Sequence, residues 1–216
     1  MTPATQTAHG AAQRSLMVWR FASLQHCLSS APVGGGRATI AWMMNATVSS
    51  DFGHADLGEF VDAIASEQSL SGTGVGFLTA ANVARAETGT DEGVLVEATV
   101  GVTRPTWAAD ADGSHNSWTP GTINIVAQCP VALTEAAAVN AIATITEAKT
   151  QALFEAGVAG TGTASDAVAI LWPAGSTNDT AHTDEPATYG GPRSTWGARI
   201  ARATHQAVAA GLRSHP

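Results

Sequence analysis

The chain of 216 residues carries 18 acidic and 10 basic side chains, a net charge of −8 with histidine neutral, and 44% of its residues are hydrophobic. That composition suits one domain with a sizeable core. It argues against a nucleic-acid backbone as main partner, since phosphate-binding surfaces gather lysine and arginine, and Arg14, Arg20 and Arg37 alone form no such patch.

Residues 1–14 are polar and rich in alanine and threonine, with no basic segment leading into an apolar core. They read as a disordered lead-in, not a signal peptide, ahead of a single domain over 15–216. A buried strand is predicted at 15–22 (SLMVWRFA). A loop follows at 28–36, where Ser29 and Ser30 precede Pro32 and the run Gly34-Gly35-Gly36. Proline and glycine exclude a helix there, and the glycines allow close backbone approach to a neighbour or ligand. The stretch 38–48 is strand-like, with Asn45 as a polar interruption. An amphipathic helix is predicted over 57–66, a second glycine loop at 72–76 and a helix at 80–86. Val94 opens a strand to residue 102. The irregular segment 103–121 contains Trp107 and Trp118, which could cover a large flat ligand or pack the loop down. Strand 122–128 precedes the longest helix, 134–156, with Thr134 as N-cap and Gly157 just past its end. A strand at 167–172, a polar loop at 175–192 and a helix over 194–212 complete the chain. The interspersed pattern predicts an α/β (or α+β) fold, a mixed sheet covered by helices.

Lys149 is the chain's sole lysine. At about 100° per residue it falls within the stripe Val139, Ile142, Ile145 and Leu153, while Glu147 projects away. A lysine there either pairs with a buried carboxylate, snorkels to water, or serves a cleft as substrate anchor or base. Asp166 closes a hydroxyl-rich loop, Gly160-Thr161-Gly162-Thr163-Ala164-Ser165, and either bonds local backbone or helps hold a ligand. Asn124 could donate to an oxyanion or sit satisfied in its strand. No phosphate-binding loop, dinucleotide fingerprint or His-Glu-x-x-His pattern occurs, and no metal site or cofactor is expected. His182, Asp184 and Glu185 read as a solvated loop cluster. Cys27 and Cys129 form no disulfide framework and suit a reducing cytoplasm; no apolar run reaches membrane length.

In order, the chain holds LSSAPVGGG at 28–36, Asn45, GVGFLTAA at 74–81, GTINIV at 121–126, TEAKTQAL at 146–153 and GTGTASDAVAI at 160–170. Tyr189-Gly190-Gly191-Pro192 and Trp196-Gly197 follow. This series resembles the adenosylcobinamide amidohydrolases of corrinoid salvage over about residues 15–212. The resemblance implies hydrolysis of the amide joining aminopropanol to the corrin's propionyl arm, giving adenosylcobyric acid. The cobalt-bearing corrinoid is then substrate, not cofactor. Residues 103–107 and 110–118 depart from the family's look and bear on corrinoid preference. No catalytic residue is carried over. The chemistry suggests Ser29 or Ser30 as nucleophile, Lys149 as proton acceptor and Glu147 or Asp166 as an orienting or water-activating acid. Gly34, Gly35, Gly36, Asn45, Thr79, Asn124, Thr161, Thr163 and Asp166 are the substrate-binding candidates. The competing reading is a corrinoid carrier without catalysis. No nucleic-acid or membrane partner is expected, and a homo-oligomer is left open.

Overall fold

The computed structural model describes residues 1–49, 51–53, 56–110, 121–175 and 185–214. Trp118, His182 and Asp184 lie outside the described residues. The elements are β1 (Thr5–His9), β2 (Arg14–Ser29), β3 (Gly36–Thr47), α1 (Leu57–Glu67), β4 (Gly74–Thr79), β5 (Glu87–Asp91), β6 (Val94–Gly101), β7 (Thr122–Gln128), α2 (Glu135–Glu155), β8 (Ala167–Pro173) and α3 (Thr195–Ser214). They build a mixed α/β fold on one 8-stranded sheet of order β4-β3-β2-β8-β7-β6-β5, with β1 paired to β2. The pairs β3–β4 and β7–β8 are parallel and the others antiparallel.

Strand β2 sets the shape. Its register against β3 shifts between Arg20 and Gln25, so residues 21–24 bulge opposite Ala41. Such an irregularity bends a strand and increases its twist. Before the bend β2 pairs with β1; after it, with β8. The sheet therefore turns over on itself. Met17, Trp19, Met43, Val75 and Phe77 of one half pack on Val126, Ala169 and Leu171 of the other. Outside the first half, Val61, Ile64 and Ala65 of α1 cover Val18 and Met44. Outside the second, Ile145 and Leu153 of α2 and Ile200 and Val208 of α3 cover Val96, Ile123, Ile125 and Ile170. The layers run helix, sheet, sheet, helix.

Four elements differ from the sequence expectation. Residues 5–9, expected in a disordered lead-in, form β1, because β2 supplies a ladder partner that a polar Thr/Ala stretch does not advertise. The helix expected over 80–86 is a single 3₁₀ turn, Val83–Arg85, capped by the Asn82 side chain. The glycine loop expected at 72–76 is partly strand: Gly74 lies flat on the Trp42 ring and Gly76 against Val61, where any side chain would collide. Strand β5 was not foreseen; Gly89 and its polar neighbours hide it, yet Gly89 is where α3 touches the sheet at Ala203.

Helix α2 shows the expected caps. Thr134 accepts the N–H of Ala137 at 3.1 Å, and Gly157 takes φ +73° just past the end. Its buried face runs through Ala141, Ile145, Ala148, Lys149 and Ala152. Val139, placed on that stripe from the sequence, is instead 61% exposed, because α3 and the sheet contact a stripe centred on small alanines.

Candidate active site

The Ser-Ser-glycine loop joins β2 to β3 at the end of the sheet where β7 and β8 begin. Ser29 is buried; its Oγ lies 3.5 Å from the Ala31 N–H and also bonds the Cys27 thiol. Ser30 is exposed. It donates its N–H to the Val168 carbonyl at 3.0 Å, and its Oγ accepts the Val168 N–H at 3.0 Å. The glycines dock the loop on β4. The Gly76 N–H meets the Val33 carbonyl at 3.0 Å, and a Cβ on Gly34, at φ +69°, would stand 2.6 Å from the Gly74 carbonyl. A side chain on Gly35 would overlap the Ala31 carbonyl, and Gly36, at φ +85°, opens β3.

Lys149 is 5% exposed, and its Nζ is ion-paired with Oδ2 of Asp166. A buried ammonium needs such a partner. Asp166 stands just before β8 and gathers donors from every side: the Ile123 N–H at 2.9 Å, the Thr163 N–H at 3.1 Å and the Thr163 hydroxyl at 2.5 Å. Gly162 leaves the room for this pair, since a Cβ there would overlap both Lys149 Nζ and Asp166 Oδ2. Around it, Ser165 and Thr122 share a hydroxyl–hydroxyl bond of 2.7 Å, and the Gly121 carbonyl accepts from Thr163 at 2.7 Å and Ser165 at 3.1 Å. Thr161 accepts the Ala108 N–H on its Oγ1 at 3.0 Å, while its carbonyl takes the Thr150 hydroxyl at 3.2 Å. Of Lys149's three N–H groups, one goes to Asp166, and no other acceptor meets it among the described residues. In particular, neither serine hydrogen-bonds to Lys149; the ammonium is committed to the carboxylate.

On the opposite face of the same strands lies a second polar set, enclosed between the two halves of the sheet. Asn124 donates from Nδ2 to Asn45 Oδ1 at 3.0 Å and to the Leu78 carbonyl at 3.2 Å; Asn45 donates to Thr99 Oγ1 at 3.1 Å. The Asn124 Oδ1 is buried with no partner. Thr79, also buried, spends its hydroxyl accepting the Ala81 N–H at 3.0 Å. Further along, Glu97 accepts the Trp19 indole N–H at 2.6 Å and the Ala4 N–H at 3.1 Å. Burial pushes the Glu97 carboxyl up from its ordinary value, with the Trp19 and Ala4 bonds pulling it partly back.

A family model described as adenosylcobinamide amidohydrolase matches residues 2–216. The chain belongs to the adenosylcobinamide amidohydrolase family. A protein of Methanosarcina mazei named adenosylcobinamide amidohydrolase is 30% identical over 184 residues, 85% of this chain and 88% of that protein. Among solved structures, the PH0078 protein from Pyrococcus horikoshii OT3 aligns over 98% of this chain and 83% of its own, with 10% identity and a TM-score of 0.48.

In this amidohydrolase the sequence candidates divide into separate places. Lys149, Thr161, Thr163 and Asp166 converge; Asn45 and Asn124 meet inside; Ser29 and Ser30 stand on neighbouring strand ends. Glu147 faces away from the Lys149–Asp166 pair. It is exposed in a cleft of about 420 Å³ between α2 and α3, beside Gln151, Arg202 and His205. Two positions before Lys149, it is turned by about 200° around the helix. Gly162, Thr99 and Glu97 were missed. The alternation Glu97, Thr99 within the strand VLVEATVG was the available signal: polar residues at period two on one face of a strand whose other face is valine and alanine. Cys27 and Cys129 are both buried, free and apart from the ion pair, with burial raising each thiol to about 11. Among the described residues no helix is long and apolar enough to cross a membrane.

Proposed function

We propose that this amidohydrolase cleaves the amide joining aminopropanol to the propionyl arm of adenosylcobinamide, leaving adenosylcobyric acid. Water is consumed: the C–N bond breaks, the acyl carbon gains an oxygen, and the amine nitrogen gains a proton. The reading is supported most by the buried Lys149–Asp166 pair, set where the 121–123, 149–150 and 160–166 segments converge. Asp166 holds the ammonium; the uncommitted N–H groups of Lys149 would steady the negative charge on the carbonyl oxygen. Lys149 therefore acts as a positioned donor in this scheme instead of the base suggested by the sequence. Ser30 is the better candidate nucleophile of the two serines, being exposed and tied to Val168, two residues past Asp166, whereas Ser29 faces the buried Cys27. The Ser30 Oγ would bond the acyl carbon as the C–N bond breaks and its proton passes to the departing amine, and water would then cleave the ester and restore the hydroxyl. A corrinoid bristles with amide arms, which suit neutral hydroxyl and backbone donors in place of a phosphate cradle. The buried thiols, neither in a disulfide, favour a cytoplasmic setting.

The test incubates the purified protein with adenosylcobinamide and follows free aminopropanol by mass spectrometry. Release supports hydrolysis. Binding without release supports the carrier, and neither removes the corrinoid reading. Turnover of Lys149→Met, Ser29→Ala and Ser30→Ala then assigns roles: loss in the first and third, with Ser29→Ala close to wild type, is expected. Near-normal rates in all three would end the scheme.

A further inference from the structure

Trp107 lies in the irregular segment that follows β6, and its backbone is pinned on both sides. The Thr106 N–H donates to the Gly162 carbonyl at 2.8 Å, and the Thr161 N–H returns to the Thr106 carbonyl at 2.8 Å. On the other side, Ala108 donates to the Thr161 hydroxyl at 3.0 Å. The Trp107 carbonyl itself accepts the Asp110 N–H at 3.2 Å. The fit of the two loops is close, for a Cβ on Gly160 would stand 2.8 Å from the Thr106 carbonyl. Despite this anchoring Trp107 is 55% exposed.

The other described tryptophans are all engaged. Trp19 bonds Glu97, Trp42 donates to the Gly72 carbonyl at 3.0 Å, Trp172 is in the core, and Trp196 lies 4.5 Å beneath the Arg199 guanidinium. Trp107 alone among them is mostly open to solvent. Its neighbour Thr106 is bonded to Gly162, and Gly162 is the residue that borders Lys149 and Asp166. An aromatic ring carried on a pinned backbone is a preorganised platform: stacking on it costs little extra backbone ordering.

Resting on the corrinoid reading above, we propose that Trp107 is a specificity residue on which the adenine of the adenosyl group stacks. The corrin rim is studded with saturated carbons and amide arms, so it offers an indole little flat surface. The purine is planar and stacks on aromatic side chains with useful strength. Trp107 then selects adenosylated corrinoids, while Lys149 addresses the amide.

The experiment compares adenosylcobinamide with cyanocobinamide, which keeps the ring and amide arms but lacks the purine. Dissociation constants come from equilibrium dialysis read by corrin absorbance, and KM and kcat from aminopropanol release. Trp107→Ala should weaken adenosylcobinamide about tenfold in both Kd and KM, with kcat within about twofold, and cyanocobinamide by less than about twofold. Trp107→Phe should recover most of the loss. Equal weakening of both corrinoids, no weakening of either, or a wild type that binds neither, overturns the assignment. Should the wild type bind adenosylcobinamide yet release no aminopropanol, the hydrolase reading fails while the dissociation constants still decide Trp107.

Discussion

Ile123 and Asn124 are consecutive on β7, and they serve two unlike polar sets. Ile123 gives its N–H to Asp166 on the side where Lys149 arrives from α2; Asn124 turns its amide inward, to Asn45 and the Leu78 carbonyl. The outer set holds full charges at a loop junction, with donor capacity left over on Lys149. The inner pair Asn45–Asn124 is made of neutral amides, sealed between half-sheets, and satisfied except for one oxygen. A buried polar network that closes on itself specifies packing, whereas one that keeps spare donors can take a substrate's acceptor. Each side of that contrast can be broken separately.

The largest effect is expected from removing one partner of the ion pair. Asp166→Ala strands a buried ammonium and leaves the Ile123 and Thr163 donors unmet, a loss of roughly 3–5 kcal/mol by urea unfolding. Replacing both charges, as Lys149→Met with Asp166→Asn, should recover much of that stability while aminopropanol release stays at least about a hundredfold down. Recovered activity in the double variant would make the pair a packing device like the inner set. Gly162→Ala comes next. The new methyl would collide with both charged groups, so a loss of about 1–3 kcal/mol and a fall in turnover should appear together.

For the inner set, Asn45→Ala removes the acceptor for Asn124 and the donor to Thr99, at a cost of about 1–3 kcal/mol in unfolding free energy. A turnover loss as deep as that of the Lys149 variants would erase the distinction between the faces. Glu97 adds a pH signature. Its folded carboxyl is raised by burial, so it holds its proton to higher pH than in the unfolded chain. Its stabilising contribution is complete below the unfolded value, about 4.3, and is lost as pH rises through the folded one. Glu97→Gln should therefore be less stable than wild type near pH 4, from an unmatched amide N–H, with the gap closing toward neutrality. A gap that widens with pH in urea titrations would reverse the sign and the account.

The residues of the outer set were legible one by one because their chemistry is local, though their pairing was not. A lone lysine on an apolar helical stripe pairs with a carboxylate, snorkels or serves a cleft, and of these the structure shows the pair, with the Asp166 that closes the hydroxyl loop between that helix and the next strand. The pairing of Asn45 with Asn124 was not legible. It depends on β2 bending at residues 21–24, which brings β3 over β7, and nothing in FASL announces a turn. The serine–lysine contact suggested by the sequence does not form for a related reason: Ser30 spends its backbone and hydroxyl on Val168, while Asp166, nearer in the chain to that strand, takes the ammonium. The strands β1 and β5 were hidden by polar residues because their stability comes from partners, not from their own apolar pattern.

The smallest effect belongs to Glu147, the candidate acid that helical geometry turns away. Lys149 points into the junction with Asp166, whereas Glu147 faces the open cleft with Gln151 and His205. His205 is itself bonded to Glu155 at 2.7 Å, so the cleft's imidazole already has a carboxylate partner. Glu147→Gln should change unfolding free energy by no more than about 0.5 kcal/mol, as exposed substitutions without a buried partner do. Its rate of aminopropanol release should stay within about twofold of wild type across pH 5 to 8 (about the range in which a catalytic carboxylate would leave a titration step). A missing limb in that pH–rate profile would place the chemistry on the α2–α3 cleft, and the ion pair at the sheet's end would then be the structural element of the two.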